Sequence, residues 1–155
     1  MEIRLVKENE ILKLQELLKI SYKVSFENVY PQSWIDYCLN NQSEERLLNK
    51  IKKTHFYVAI IEDKFVGCGA IGDYFGKTDE SCLFSFCVHP SFQKQGIGGA
   101  IMKQIEKDDF YTRAKRIVCP SSIPALPFYL KLGFKHLNDA LNYEDGSFIL
   151  EKNCN

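Results

Sequence analysis

The sequence predicts an α/β domain built on a mixed, largely antiparallel sheet, and three observations carry that reading. Apolar residues recur at helical spacing near the start. Between residues 55 and 88, stretches rich in aromatic and β-branched side chains follow one another with only short polar turns between them. Directly behind the last stretch, Gly96, Gly98 and Gly99 open another helical pattern. The length of 155 residues suits one domain spanning 1–155.

A short strand, Ile3 to Val6, precedes a helix from Glu8 to Ile20, in which the apolar residues Ile11, Leu12, Leu14, Leu17 and Leu18 recur at helical spacing. A second helical region follows Pro31, with Trp34, Ile35, Cys38 and Leu39 on one face, and Leu47, Leu48 and Ile51 continue it after the polar stretch Asn40 to Ser43. Three strands form an antiparallel meander: His55 to Glu62, Phe65 to Phe75 and Ser81 to Val88, with turns at Asp63-Lys64 and Gly76 to Glu80. A helix from Ile97 to about Asp109 buries Ile97, Ile101, Met102 and Ile105. Then come a strand at Arg116 to Cys119 and a short helix, Pro124 to Leu132, ended by Gly133. Two final strands lie near Phe134–Leu137 and Ser147–Leu150.

Composition narrows the function. Twenty Lys and Arg balance twenty Asp and Glu, so no global basic field steers the chain onto nucleic acid or an anionic membrane. The longest apolar run, Phe56 to Ile61, falls far short of the ~18 residues of a membrane span. Met1 to Leu5 lacks a signal core, and the expectation is a cytoplasmic protein. None of the six cysteines forms a close pair with another, and His55, His89 and His136 are scattered. They read as reduced, structural thiols with no metal site.

The segment Val88-His-Pro-Ser-Phe-Gln-Lys-Gln-Gly-Ile-Gly-Gly99 carries the chemistry. A strand ends, a polar loop follows, and glycines open a helix whose first N–H groups lack partners and carry partial positive charge. That is an anion site, with Lys94 adding formal charge at its rim. The GxxxxGK[ST] loop is absent, and a GxGxxG fingerprint would need glycine where Ile101 stands. A tight strand-to-helix turn without ligand is the plainer alternative.

Gln93-x-x-Gly96-x-Gly98 resembles the [QR]-x-x-G-x-[GA] pyrophosphate loop of the Gcn5-related N-acetyltransferase (GNAT) superfamily. Ser122-x-x-Ala125-x-x-Phe128-Tyr129-x-Lys131-x-Gly133-Phe134 is similar to the family's N-x-x-A-x-x-F-Y-x-K-x-G-F segment. The element order fits over the whole chain. The resemblance implies the GNAT fold, with a splayed strand pair in its sheet and flanking helices, and acetyl-CoA as acyl donor to a primary amine of a small molecule or peptide. It implies that backbone amides from Gln95 through Gln95's neighbours Gly96, Ile97, Gly98 and Gly99 hold the pyrophosphate, with Gln93 and Lys94 in the same loop. It further implies that Phe86, Cys87 and Val88 pair with the pantetheine arm, that Ser122 and Lys131 touch the coenzyme, and that Tyr129 is general acid toward the leaving thiolate. Ser122 departs from the family's usual asparagine.

The strand from Ser81 to Val88 also lacks the acid that some members carry, which leaves Glu80 at its start and Asp73 as candidate bases, although each reads more readily as a solvated surface carboxylate. Tyr22, Phe26, Tyr30, Trp34 and Tyr143 are candidate walls of an acceptor pocket, and Glu27, Asp139, Glu144 and Asp145 a candidate acidic rim. For Trp34, plain core packing is the competing reading. Two further classes compete with the enzyme: a non-catalytic CoA-binding regulatory or sensor module, and an interaction protein with a degenerate site. A homodimer through the exposed final strands is compatible with the pattern.

Overall fold

The computed structural model describes residues 1–154. Strand β1 (Glu2–Leu5) leads into helix α1 (Ile11–Phe26), followed by α2 (Gln32–Asn40) and α3 (Glu44–Lys53). The meander is β2 (His55–Ile61), β3 (Lys64–Tyr74) and β4 (Lys77–Val88). Helices α4 (Ile97–Ile105) and α5 (Asp109–Thr112), strand β5 (Arg116–Ser122) and helix α6 (Leu126–Lys131) come next. Strands β6 (Lys135–His136), β7 (Tyr143–Glu144) and β8 (Ser147–Asn153) complete the sheet, whose order is β1-β2-β3-β4-β5-β8-β6 with β7 hairpinned onto β8. Every pairing is antiparallel except β4 with β5.

Both faces of the sheet are covered, which explains why β2 and β3 read as nearly continuous apolar runs rather than alternating ones. Leu14, Leu17 and Leu18 of α1 and Leu47 of α3 pack on Phe56, Val58, Phe65 and Ala70. Ile97, Ile101, Met102 and Ile105 of α4 pack on the opposite face, against Tyr57, Ala59, Val66, Leu83 and Ile117.

Strand ends aside, the elements differ from the sequence expectation at five places, each with a local cause. The second helical region is two helices, α2 and α3, because the Ser43 hydroxyl accepts the Arg46 N–H and caps a new helix. Helix α1 runs on to Phe26 because Tyr22 and Phe26 extend the i, i+4 line from Leu18, and their rings stack at 5.1 Å. The turn into β4 is only Phe75-Gly76, both at positive φ, so the strand begins at Lys77. The helix opened at Ile97 stops at Ile105, because Asp108 accepts from the Phe110 N–H and caps a separate short helix. Asp145-Gly146, again both at positive φ, make the turn of the β7–β8 hairpin.

Asp108 is only 6% exposed, and its carboxylate receives the Tyr57 hydroxyl at 2.6 Å, lies 2.7 Å from His55 Nδ1 and takes the Phe110 N–H at 2.8 Å. Asp108→Ala strands those groups and removes the cap. The expected cost is about 3 kcal/mol, a fall of roughly 6–12 °C in the thermal midpoint. An unchanged midpoint in a melting scan contradicts this role.

Candidate functional site

The parallel pair β4–β5 makes the opening. Their ladder covers only Glu80↔Arg116, Ser81↔Ile117 and Cys82↔Val118. Beyond it the strands separate: β5 stays on β8 through Ser122↔Ser147, and β4 stays on β3 through Gly67↔Val88. A bulge drives the separation. The β3–β4 register shifts between Cys68 and Ala70, opposite Ser85 at φ +53°, and the Phe86 ring lies where a side chain on Gly69 would stand. Backbone groups of β4 from Leu83 to Val88 therefore have no ladder partner on the β5 side.

The loop after β4 delivers the start of α4 to the mouth of this gap. Gln93 Nε2 donates to the Val88 carbonyl at 2.9 Å and ties the loop back to the strand. Gly96 is the N-cap at φ +79°, a conformation that suits glycine. The first bond of the helix runs from the Ala100 N–H to the Gly96 carbonyl, and no side chain caps the end. The N–H groups of Ile97, Gly98 and Gly99 are thus left without helical partners and point out of a positive dipole end. A Cβ added at Gly96 or Gly99 would meet nothing within 4 Å, so open space lies against this backbone. The geometry fits a diphosphate.

Mouth and gap are one cleft of about 570 Å³, within the ~300–1,000 Å³ typical of small-molecule sites. Phe86, Cys87 and Val88 line it from β4, Pro120 and Ser122 from β5, Ala125, Phe128 and Tyr129 from α6, and Tyr22, Phe26 and Trp34 from the α1–α2 corner. Tyr129 is fixed at both levels. Its carbonyl accepts the Phe134 N–H while the Leu130 carbonyl accepts the Gly133 N–H, the paired bonds of a Schellman end, and Gly133 sits at φ +93°. Its ring meets Phe86, Phe128 and Phe134 edge-on at 5.2–6.1 Å. Burial, then the neighbouring Cys119, pushes its hydroxyl well above the usual tyrosine value, so it stays protonated. Tyr22 and Cys38 on the other side are likewise raised by burial, Cys38 to about 11.

A family model described as an acetyltransferase (GNAT) domain matches residues 52–136, more than half of the 155 residues. The chain belongs to the GNAT acetyltransferase family. The uncharacterized N-acetyltransferase YjcF of Bacillus subtilis is 29% identical over 132 residues, covering 83% of this chain and 86% of that one. The PaiA N-acetyltransferase of Thermoplasma acidophilum, solved in complex with coenzyme A, superposes with a TM-score of 0.85 at 21% identity, over 99% of this chain and 98% of the other. An acetyltransferase of the GNAT family from Staphylococcus aureus Mu50 gives 0.75 at 15% identity, over 98% of both chains. At these identities the two solved structures speak for the fold.

Within this GNAT acetyltransferase, Phe86, Cys87, Val88, Gln93, Lys94, Gly96, Ile97, Gly98, Gly99, Ser122, Tyr129 and Trp34 meet at the one cleft. The side chains of Gln95 and Lys131 are exposed and outside its lining. Glu80 is a correction. It lies at the paired end of the β4–β5 ladder, away from the gap, and its carboxylate receives Arg116 at 3.1 Å and Lys77 at 3.0 Å, which hold its pKa below the usual range. A committed, weakly basic carboxylate there is no base for the cleft. Asp73 is also absent from the cleft.

Tyr143 is corrected too: it is 48% exposed on β7 and packs on Phe148. Tyr30 is a strut rather than a wall, because its hydroxyl donates to the Gly146 carbonyl and accepts the Ile123 N–H at 2.8 Å. Trp34 does both jobs, stacking on Tyr30 at 3.9 Å and donating to the Asp145 carbonyl while facing the cleft. The expected acidic rim does not form: Glu27, Asp139, Glu144 and Asp145 all lie outside the lining. Residues that sequence reasoning passed over include Ser25, Asn41, Gln42, Lys50 and Ser85. Among the described residues no helix is long and apolar enough to cross a membrane, and no cluster of three or more His, Cys, Asp or Glu stands in metal-binding proximity.

Proposed function

We propose that this chain, folded as one domain over 1–155, is an acyl-CoA-dependent N-acyltransferase that moves an acetyl group from acetyl-CoA to a primary amine of a small molecule or peptide by direct attack in a ternary complex. The observation that carries the reading is the set of three unpartnered N–H groups of Ile97, Gly98 and Gly99 at the mouth of a splayed strand pair. The coenzyme A complex of the Thermoplasma PaiA protein supports it.

When bound, acetyl-CoA supplies an activated thioester carbonyl. The α4 amides hold the pyrophosphate, with Lys94 at the rim. The free edge of β4 from Phe86 to Val88 takes the amide-bearing arm as an added strand would, and Ser122 offers a hydroxyl from across the gap. N–H groups of the bulged strand face the carbonyl oxygen as it gains charge. In the reaction the N–C bond forms, the C–S bond breaks, the sulfur leaves as a thiol and the amine gives up one proton. Tyr129, protonated and anchored, donates its hydroxyl hydrogen bond to the departing sulfur. Among the described residues no Asp or Glu lines the cleft, so the proton of the amine leaves through water.

The test is a thermal shift with acetyl-CoA, CoA, ATP and NAD in parallel, followed by thiol release with an amine panel. Ligand at ~100 times its dissociation constant adds ~2.7 kcal/mol, which moves the midpoint by roughly 5–11 °C. A rise with the two CoA species alone is the expected result. No rise with either removes the coenzyme from this cleft.

A further inference from the structure

The acceptor side of the cleft holds a charge with nothing to balance it. Lys50 of α3 lines the cleft half-buried, its ammonium 5.8 Å from the Phe84 ring, and it forms no ion pair or side-chain hydrogen bond among the described residues. Burial, with Arg46 adding, lowers its pKa, as expected for a cation taken partly out of water without an anion beside it. The lining contains a second cation, Lys94, and among the described residues no carboxylate. The two lysines serve different faces. Lys94 belongs to the loop before α4, and α4 packs on one side of the sheet, whereas Lys50 belongs to the α1–α3 layer on the other.

Gln42, between α2 and α3, is 5% exposed and also lines the cleft. Its Nε2 donates to the Cys38 carbonyl at 3.2 Å, while its Oε1 is buried with no partner. That oxygen has no exposed surface for a ligand to reach, so of the two side chains Lys50 is the one open to a bound group.

From the unbalanced charge of Lys50 we infer that the acceptor is a small primary amine that also carries a carboxylate, with Lys50 holding the carboxylate. The inference rests on the acyltransferase reading and names its substrate class. It excludes diamines and polyamines as preferred acceptors, since a second ammonium would meet Lys50 with no acid among the described residues of the lining to offset it. The reaction is the one already written, an amide N–C bond formed as the thioester C–S bond breaks, with the carboxylate a bystander that positions the nitrogen.

The experiment measures thiol release from acetyl-CoA with the twenty proteinogenic amino acids and 4-aminobutyrate, each beside its own carboxamide, and with 1,4-diaminobutane and spermidine. At least one carboxylate form is expected to exceed its amide and both polyamines tenfold or more in kcat/KM. In Lys50→Met that ratio should fall to near one, with the change in KM, and in Lys50→Glu the amides and diamines should overtake. Preference for an amide or a polyamine by the unaltered chain, or an undiminished ratio in Lys50→Met, overturns the inference. Thermal stabilisation by acetyl-CoA is followed in every variant, which separates a lost fold from a lost preference. If acetyl-CoA stabilises the chain yet no amine releases thiol, the acyltransferase reading fails. The acceptor site is then read directly through the fluorescence of Trp34, the sole tryptophan, during titration of the CoA-bound chain with the amino acids. No response there to any carboxylate-bearing amine overturns the inference as well.

Discussion

Replacing Gly98 by tryptophan is expected to weaken coenzyme A binding by ~100-fold or more, since two charge-assisted N–H contacts at about 1.5–3 kcal/mol each are lost. Gly98 sits in the first turn of α4, and a Cβ there would already stand 3.1 Å from Cε1 of the Phe128 ring. An indole at that position has only the cleft to occupy. It would cover the amides of Ile97 and Gly99 and push Phe128 toward Phe86, whose rings are 5.7 Å apart. The helix itself should survive, because Ile97, Ile101, Met102 and Ile105 anchor it in the core from its other face. Titration calorimetry with CoA reads the affinity, and far-UV circular dichroism with a melting scan reads the fold. An affinity like that of the unaltered chain would mean that the phosphates are held somewhere other than this turn.

That site was the most legible part of the chain because its information is local. The twelve residues from Val88 to Gly99 specify strand end, loop and helix start by themselves, and the Phe128-Tyr129 to Gly133-Phe134 spacing specifies a helix end that pins Tyr129. Boundaries slipped where tertiary packing outvoted polarity, as in α1, where Lys23 lies between Tyr22 and Phe26 yet the helix continues because Tyr22 stacks on Phe26, which Tyr30 and Trp34 cover in turn. The β7 strand went unread although Asp145-Gly146 is a hairpin signal, since only two residues pair on its side.

Glu80 failed for a different reason. A strand position says nothing of which end of a parallel pair opens, and here the bulge at Ser85 decides that, five residues on from Glu80. Tyr30 joins α1–α2 to Ile123 and Gly146, contacts about a hundred residues away in sequence that no periodicity encodes. Lys50 was invisible as a site for the same cause: what distinguishes it is the absence of a partner in the folded chain.

Tyr129→Phe is expected to lower kcat by ~100-fold, within the ~10²–10⁴ that a positioned acid contributes, while the affinity for acetyl-CoA stays within a factor of about three. Phenylalanine keeps the edge-on packing with Phe86, Phe128 and Phe134 and removes only the hydroxyl, so the fold and the coenzyme cradle have no reason to move. The pH profile makes the assignment sharper. Burial raises the Tyr129 pKa above its ordinary value near 10, so the hydroxyl keeps its proton through the neutral and mildly alkaline range and contributes no falling limb there. The acceptor nitrogen must be neutral to attack, and with no carboxylate in the cleft to take its proton, log kcat/KM should rise with unit slope as pH approaches the pKa of the amine, ~10.4 for an alkylammonium.

Tyr129→Phe should shift that whole profile down without changing its shape, because the rising limb belongs to the acceptor. A falling limb below about pH 9 that vanishes in the variant would mean that the hydroxyl ionises in the working range, contrary to its burial. Unchanged turnover would remove Tyr129 from the chemistry and leave its ring as packing alone.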